Sequence, residues 1–143
     1  DFLAEILYCL SLPGAGIALL VPTWNDLPVL NGMHLHSASV HIMLVMYPVL
    51  ILANGFRPNY RRLPKILGLL TLVAVPIYFV NQWLGTNFFF LARTDDNPVL
   101  EMLASVLGEK YFFLGLPMLL IIAWVLLYLP WIIAERRKAK TQK

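Results

Sequence analysis

Residues 111–133 read YFFLGLPMLLIIAWVLLYLPWII, 23 positions without one charged side chain. An α-helix rises about 1.5 Å per residue, so about 20 apolar residues cross a hydrocarbon core of about 30 Å. Working outward, residues 32–53 repeat the pattern, residues 63–83 repeat it with Lys65 near their start, and residues 2–21 repeat it with Glu5 as their one charged side chain. Four such stretches predict an all-α integral membrane helical bundle of four transmembrane helices over residues 1–134, followed by a basic tail, 135–143. Strands are a poor alternative, because the stretches are too long and lack alternation with period two. The first stretch makes a poor signal peptide, having an acidic start and no clean small-x-small cleavage site. Composition agrees: 59% apolar and 13% charged residues, with a mean hydropathy of +0.72. Soluble domains average about a quarter charged residues, so this chain could not cover a water-facing surface.

The connections carry orientation. Arg57, Arg61, Arg62 and Lys65 fall in loop 54–65, and Arg136, Arg137, Lys138, Lys140 and Lys143 in the tail. Four spans put both clusters on one side, and the positive-inside bias makes both termini cytoplasmic. Loops 22–31 and 84–110, with Asp26, Asp95, Asp96, Glu101 and Glu109 against Arg93 and Lys110, then lie outside. Basic residues so close to spans suit orientation and anionic lipid headgroups, not nucleic acid. Trp24, Trp83, Trp131, Tyr60, Tyr111 and Tyr128 fall near span ends, where aromatic rings anchor at the interface. Asn97-Pro98 reads as a helix start; Val99, Leu100, Leu103, Val106 and Leu107 would form the apolar side of a short helix, on the outer surface or packed on the spans. Each span carries a proline, Pro13, Pro48, Pro76 and Pro117, and the Pro13-Gly14 pair with Gly16 is the best candidate for a break. The carbonyl that such a proline frees needs another partner in a bilayer.

Polar groups inside spans usually face the bundle interior. His34, Ser37 and His41 follow i, i+3, i+7 and share one helix face, with His36 directed elsewhere. His41 lies roughly 13 Å below Gly32 by helical rise. Asn81 and Gln82 end the third span, and Asn87 follows; the two groups converge if their helices are neighbours. No carboxylate or cysteine accompanies His34, His36 and His41 within their span, which disfavours a metal site. Haem held by two histidines would need them on facing helices, and a single span carries all three. General acid–base chemistry by His41 and plain interhelical hydrogen bonding both remain open. The lone cysteine, Cys9, rules out an intrachain disulfide.

The segment Asn81-Gln82-Trp83-Leu84-Gly85-Thr86-Asn87-Phe88-Phe89-Phe90-Leu91 resembles the N-x-x-x-G-T-N-Y-x-F-L signature of the YwaF-like bacterial membrane proteins, relatives of animal transmembrane protein 164. Pro13 through Pro22 is similar to the family's G-A-x-x-A-L-L-T-P stretch, and His41 falls where the family carries an intramembrane histidine. The resemblance implies acyl transfer between lipids, with a cysteine forming the acyl-enzyme and a histidine as base. His41 would then be the catalytic base, and Asn81 or Asn87 an orienter. It also implies more spans than four, with an earlier Leu-Pro-x-His-x-Cys-type segment that nothing here matches; Cys9 stands in a different context. Beginning at Asp1 without an initiator methionine, the chain reads as the later portion of a larger bundle. The leading expectation is therefore a non-catalytic structural or accessory subunit, in a bacterial inner membrane, contacting lipids and other subunits or a missing N-terminal half. A share in an acyltransferase comes second. A small transporter component comes third, since the histidines have no intramembrane acid to pair with. No cofactor is expected.

Overall fold

The computed structural model describes residues 1–22, 28 and 30–141; Trp24, Asp26 and Lys143 fall outside the described residues. Among the described residues, four helices are long and apolar enough to cross a membrane: Phe2–Leu20, Gly32–Ala53, Tyr60–Leu84 and Phe112–Lys140. Among the described residues there is no strand. The start of the second span is set by Asn31, whose side chain accepts from the Met33 amide. The third ends at Gly85, whose left-handed backbone (φ +66°) terminates the helix where a Cβ would be strained. The fourth opens as a 3-10 turn, Phe112–Gly115, and continues as one α-helix from Leu116 to Thr141. The basic tail thus extends the last span as helix. Pro117 falls in its first turn, where no amide donor is required, and Pro130 is the proline inside it.

Pro13 acts differently. With no amide hydrogen, it leaves the carbonyl four residues back, that of Cys9, without its usual donor. The chain answers in two ways. Residues Leu7–Ser11 widen into a π-turn within the first span, and the Trp124 indole Nε1 donates to the Cys9 carbonyl at 3.0 Å. The expected break at Pro13 is therefore real but stays helical, and it bonds the first span to the fourth.

That bond belongs to a dry core at one end of the bundle, formed by Tyr8, Cys9, Ile66, Trp124 and Tyr128. The start of the first span, the 54–62 connection and the later half of the fourth span meet there, so loop and tail do share one end. Elsewhere the spans turn apolar side chains outward; Met43, Leu72 and Phe79 are all exposed, as suits side chains facing lipid.

The Asn97-Pro98 signal proves to be a helix, Pro98–Leu107, capped by the Asn97 side chain accepting from Val99 and Leu100. It packs on the start of the fourth span through Leu100, Leu103 and Ala104 against Phe112. Approach is close: a Cβ on Gly115 would lie 2.7 Å from Leu103 Cδ2. Val106, expected on the apolar side, is exposed. Tyr128 and Trp131 also depart from the expectation of interface anchors. Tyr128 is buried, and Trp131 donates to the Tyr8 hydroxyl while the Arg57 guanidinium lies over its ring. Trp83, Tyr60 and Tyr111 are exposed at span ends.

Candidate functional site: an intramembrane cavity beneath a polar turn

Above the dry core the first and fourth spans part, leaving a cavity of about 600 Å³ between the first, second and fourth spans and the 87–100 segment. Its walls are largely apolar, from Leu10, Pro13 and Ile17 on one side to Leu116, Leu120 and Ala123 on the other. Polar groups reach it from two places: a stripe on the second span, His34, Ser37 and His41, as the helical spacing requires, and Asn87, Asp95 and Asn97 on the 87–100 segment. Its volume lies within the range of about 300–1,000 Å³ that small-molecule sites occupy.

His41 Nδ1 lies 2.7 Å from the Ser37 carbonyl oxygen. A carbonyl only accepts, so Nδ1 carries the proton and Nε2 is left as the acceptor. The same geometry separates Ser37 from nucleophilic chemistry. Its hydroxyl lies 3.4 Å from the same Nδ1, and a nitrogen that donates to the carbonyl cannot also take the serine proton. His34 Nδ1 is buried and finds no hydrogen-bond partner among the described residues. His36 is exposed, on another side of the helix.

Of the other polar residues expected in this cluster, Asn87 reaches the cavity while Asn81 and Gln82 do not. Asn81 is buried in its own turn: its Oδ1 accepts from the Phe88 amide and the Thr86 hydroxyl, and its Nδ2 donates to the Phe88 carbonyl. Gln82 is exposed. Asn87 Oδ1 accepts from the Ala92 and Arg93 amides, and its Nδ2 donates to the Arg93 carbonyl and to Asp95. Both amide hydrogens of Asn87 are thus used within the turn, leaving none for a reacting oxygen. Asn87, Asp95 and Asn97 roof the cavity together with Phe89 and Phe90, which stand in left-handed conformations (φ 59° and 53°), and Asn81 braces the turn from behind. Such backbones are rare for bulky residues and are held here by the asparagine side chains.

A model of the TMEM164 family matches residues 1–128. The chain belongs to the TMEM164 family. No curated protein and no solved structure matches it. The stretch matched to the TMEM164 family includes every residue that lines the cavity, whereas Trp131 and the basic tail lie beyond it.

It also includes a polar centre that the sequence reading passed over. Glu5 is completely buried at the foot of the first span. Tyr128 donates to its Oε1 at 2.6 Å, and the Asn59 amide lies 2.9 and 3.1 Å from its two oxygens. Arg62 Nη1 is 3.5 Å from Oε2 and also donates to the Asp1 carbonyl. The Tyr8 hydroxyl, one turn along, donates to the Leu127 carbonyl. Three of the four spans and their connection are fastened through this one carboxylate. The signal was present: a carboxylate in an apolar stretch demands partners. Of the basic residues assigned to orientation and headgroups, Arg57 and Arg62 are engaged within the protein. Arg61, Lys65, Arg136 and Lys138 are exposed, and Arg137 is exposed but also engaged in an interaction.

Proposed function

We propose that this chain is the lipid-holding part of a larger membrane assembly and performs no covalent chemistry alone. The cavity carries this reading: an apolar slot at membrane depth, whose polar stripe presents an unused His34 Nδ1 and the His41 acceptor. A lipid would place its chain against the leucine walls and its hydroxyl or ester region beside the stripe. Both termini are cytoplasmic in this reading, following the basic loop and tail. A bacterial inner membrane rests on the resemblance of residues 81–91.

A second reading, a share in lipid acyl transfer, draws on the tautomer of His41. With Nδ1 occupied by a carbonyl, Nε2 is the nitrogen suited to a general base. The nucleophile would come from another segment or subunit, because Ser37 cannot be activated and the Cys9 thiol is buried in the core, directed at the Ile6 carbonyl.

Native mass spectrometry of the protein extracted in mild detergent tests the first reading. Ala38→Trp and Leu120→Trp each fill the slot without removing a polar group, and each should lower bound lipid by about tenfold, equivalent to about 1.4 kcal/mol. Undiminished lipid in both folded variants refutes it. His41→Ala separates the readings: lost acyl exchange in the assembled protein supports the second, while unchanged exchange with intact assembly supports the first.

A further inference from the structure

We infer that the cavity is loaded from one leaflet only, the one facing away from the 54–62 connection and the basic tail. This rests on the lipid-holding reading and adds the source of the ligand.

Depth is the first support. On the second span the lining runs from His34 to His41, about 10 Å of helical rise. One leaflet contributes about 15 Å, half of a hydrocarbon core of about 30 Å. On the fourth span the lining stops at Ala123 and on the first it begins at Leu10, at the same level. The slot therefore matches a single leaflet in height, and the remaining turns of the second span, through Ala53, take no part in it.

The floor is the second support. Below the slot lie Cys9 and Ile66, fully buried, with Tyr8, Trp124 and Tyr128 nearly so. Among the hydrogen bonds that join the first and fourth spans across this layer are three: Trp124 to the Cys9 carbonyl, Tyr8 to the Leu127 carbonyl, and Tyr128 to Glu5. An acyl chain coming from the tail side would have to part all three, each holding a polar group with no water to replace its partner. From the opposite leaflet the route stays above this layer, between spans that carry Gly14 and the half-exposed Ile17 at the cavity wall.

Oriented proteoliposomes separate the two sources. The protein is reconstituted, and vesicles with the tail inside are sorted from those with the tail outside by protease access to residues 135–143. Phosphatidylcholine bearing a diazirine on its acyl chain is then exchanged into the outer leaflet of the vesicles alone, and crosslinks are mapped by mass spectrometry. Labelling of residues 32–41 and 116–123 should be at least about tenfold stronger with the tail inside, a preference of about 1.4 kcal/mol. Equal labelling in both vesicle types, or stronger labelling with the tail outside, overturns the inference while leaving the lipid-holding reading intact. Absence of cavity crosslinks from either leaflet overturns both.

Discussion

Replacing Glu5 by alanine should be among the most damaging single changes in the molecule. The carboxylate is fully buried and takes the Tyr128 hydroxyl at 2.6 Å and the Asn59 amide at 2.9 Å. Its Arg62 partner at 3.5 Å is one-third exposed, so that pair is screened and adds little. Hydrogen bonds to a carboxylate contribute about 1.5–3 kcal/mol each, and truncation leaves the buried Tyr128 hydroxyl unpaired and frees the amide of Asn59, an exposed residue. Losing the acceptor of two such bonds costs about 3–6 kcal/mol, the loss expected for Glu5→Ala. An ordinary interhelical hydrogen bond in a bilayer averages only about 0.6 kcal/mol, so the two cases are well separated. Tyr128→Phe removes one donor and should cost about 1.5–3 kcal/mol. Because both substitutions delete the same bond, the double variant should fall short of the sum by about 0.5–3 kcal/mol. Steric-trap unfolding in bicelles measures all three. A loss below about 1 kcal/mol for Glu5→Ala, or additivity in the double variant, would refute a buried carboxylate hub, since such a hub cannot be that cheap to dismantle.

Asn97→Ala removes the cap of the 98–107 helix and should cost about 0.5–2 kcal/mol, seen as faster hydrogen exchange of the Val99 and Leu100 amides with the spans unaffected. Unchanged protection of those amides would mean the cap is dispensable. Pro13→Ala returns an amide donor that competes with Trp124 for the Cys9 carbonyl. The indole N–H resonance of Trp124 should move toward that of an unbonded indole, and a resonance left in place would show that the proline does not create this contact.

The spans were legible because the bilayer sets their length and excludes charge, two quantities read directly from composition. Gly32–Ala53 came out with the expected ends, and the Asn97-Pro98 start was correct because its amide donors need the asparagine oxygen. The His34, Ser37 and His41 stripe was legible for the same reason, being a matter of period alone. What periodicity cannot supply is the neighbour across the gap. Asn81 stands as near the outer end as His34, yet its hydrogen bonds close within its own turn, seven residues along at Phe88. Tyr128 and Trp131 looked like interface aromatics by position, and only the 123-residue reach back to Glu5 and Tyr8 reveals them as core.

The two ends of the bundle treat polar groups in opposite ways, and the difference bears on function. At the tail end the polar side chains of the core all find partners: Glu5 with Tyr128, Tyr8 with the Leu127 carbonyl, Trp131 with Tyr8, Trp124 with the Cys9 carbonyl. At the other end the asparagines of the roof are also satisfied, yet His34 Nδ1 has no partner among the described residues and His41 keeps Nε2 as an unused acceptor. An unpaired buried polar atom costs about 1–3 kcal/mol, so His34 Nδ1 beside a largely apolar slot is better explained by a ligand than by packing. Pro13 connects the two ends. The donor it lacks is what brings Trp124 to Cys9 and shuts the floor, and its side chain forms the cavity wall immediately above. Floor and slot therefore share one cause in the sequence, and a chain without that proline should weaken both together.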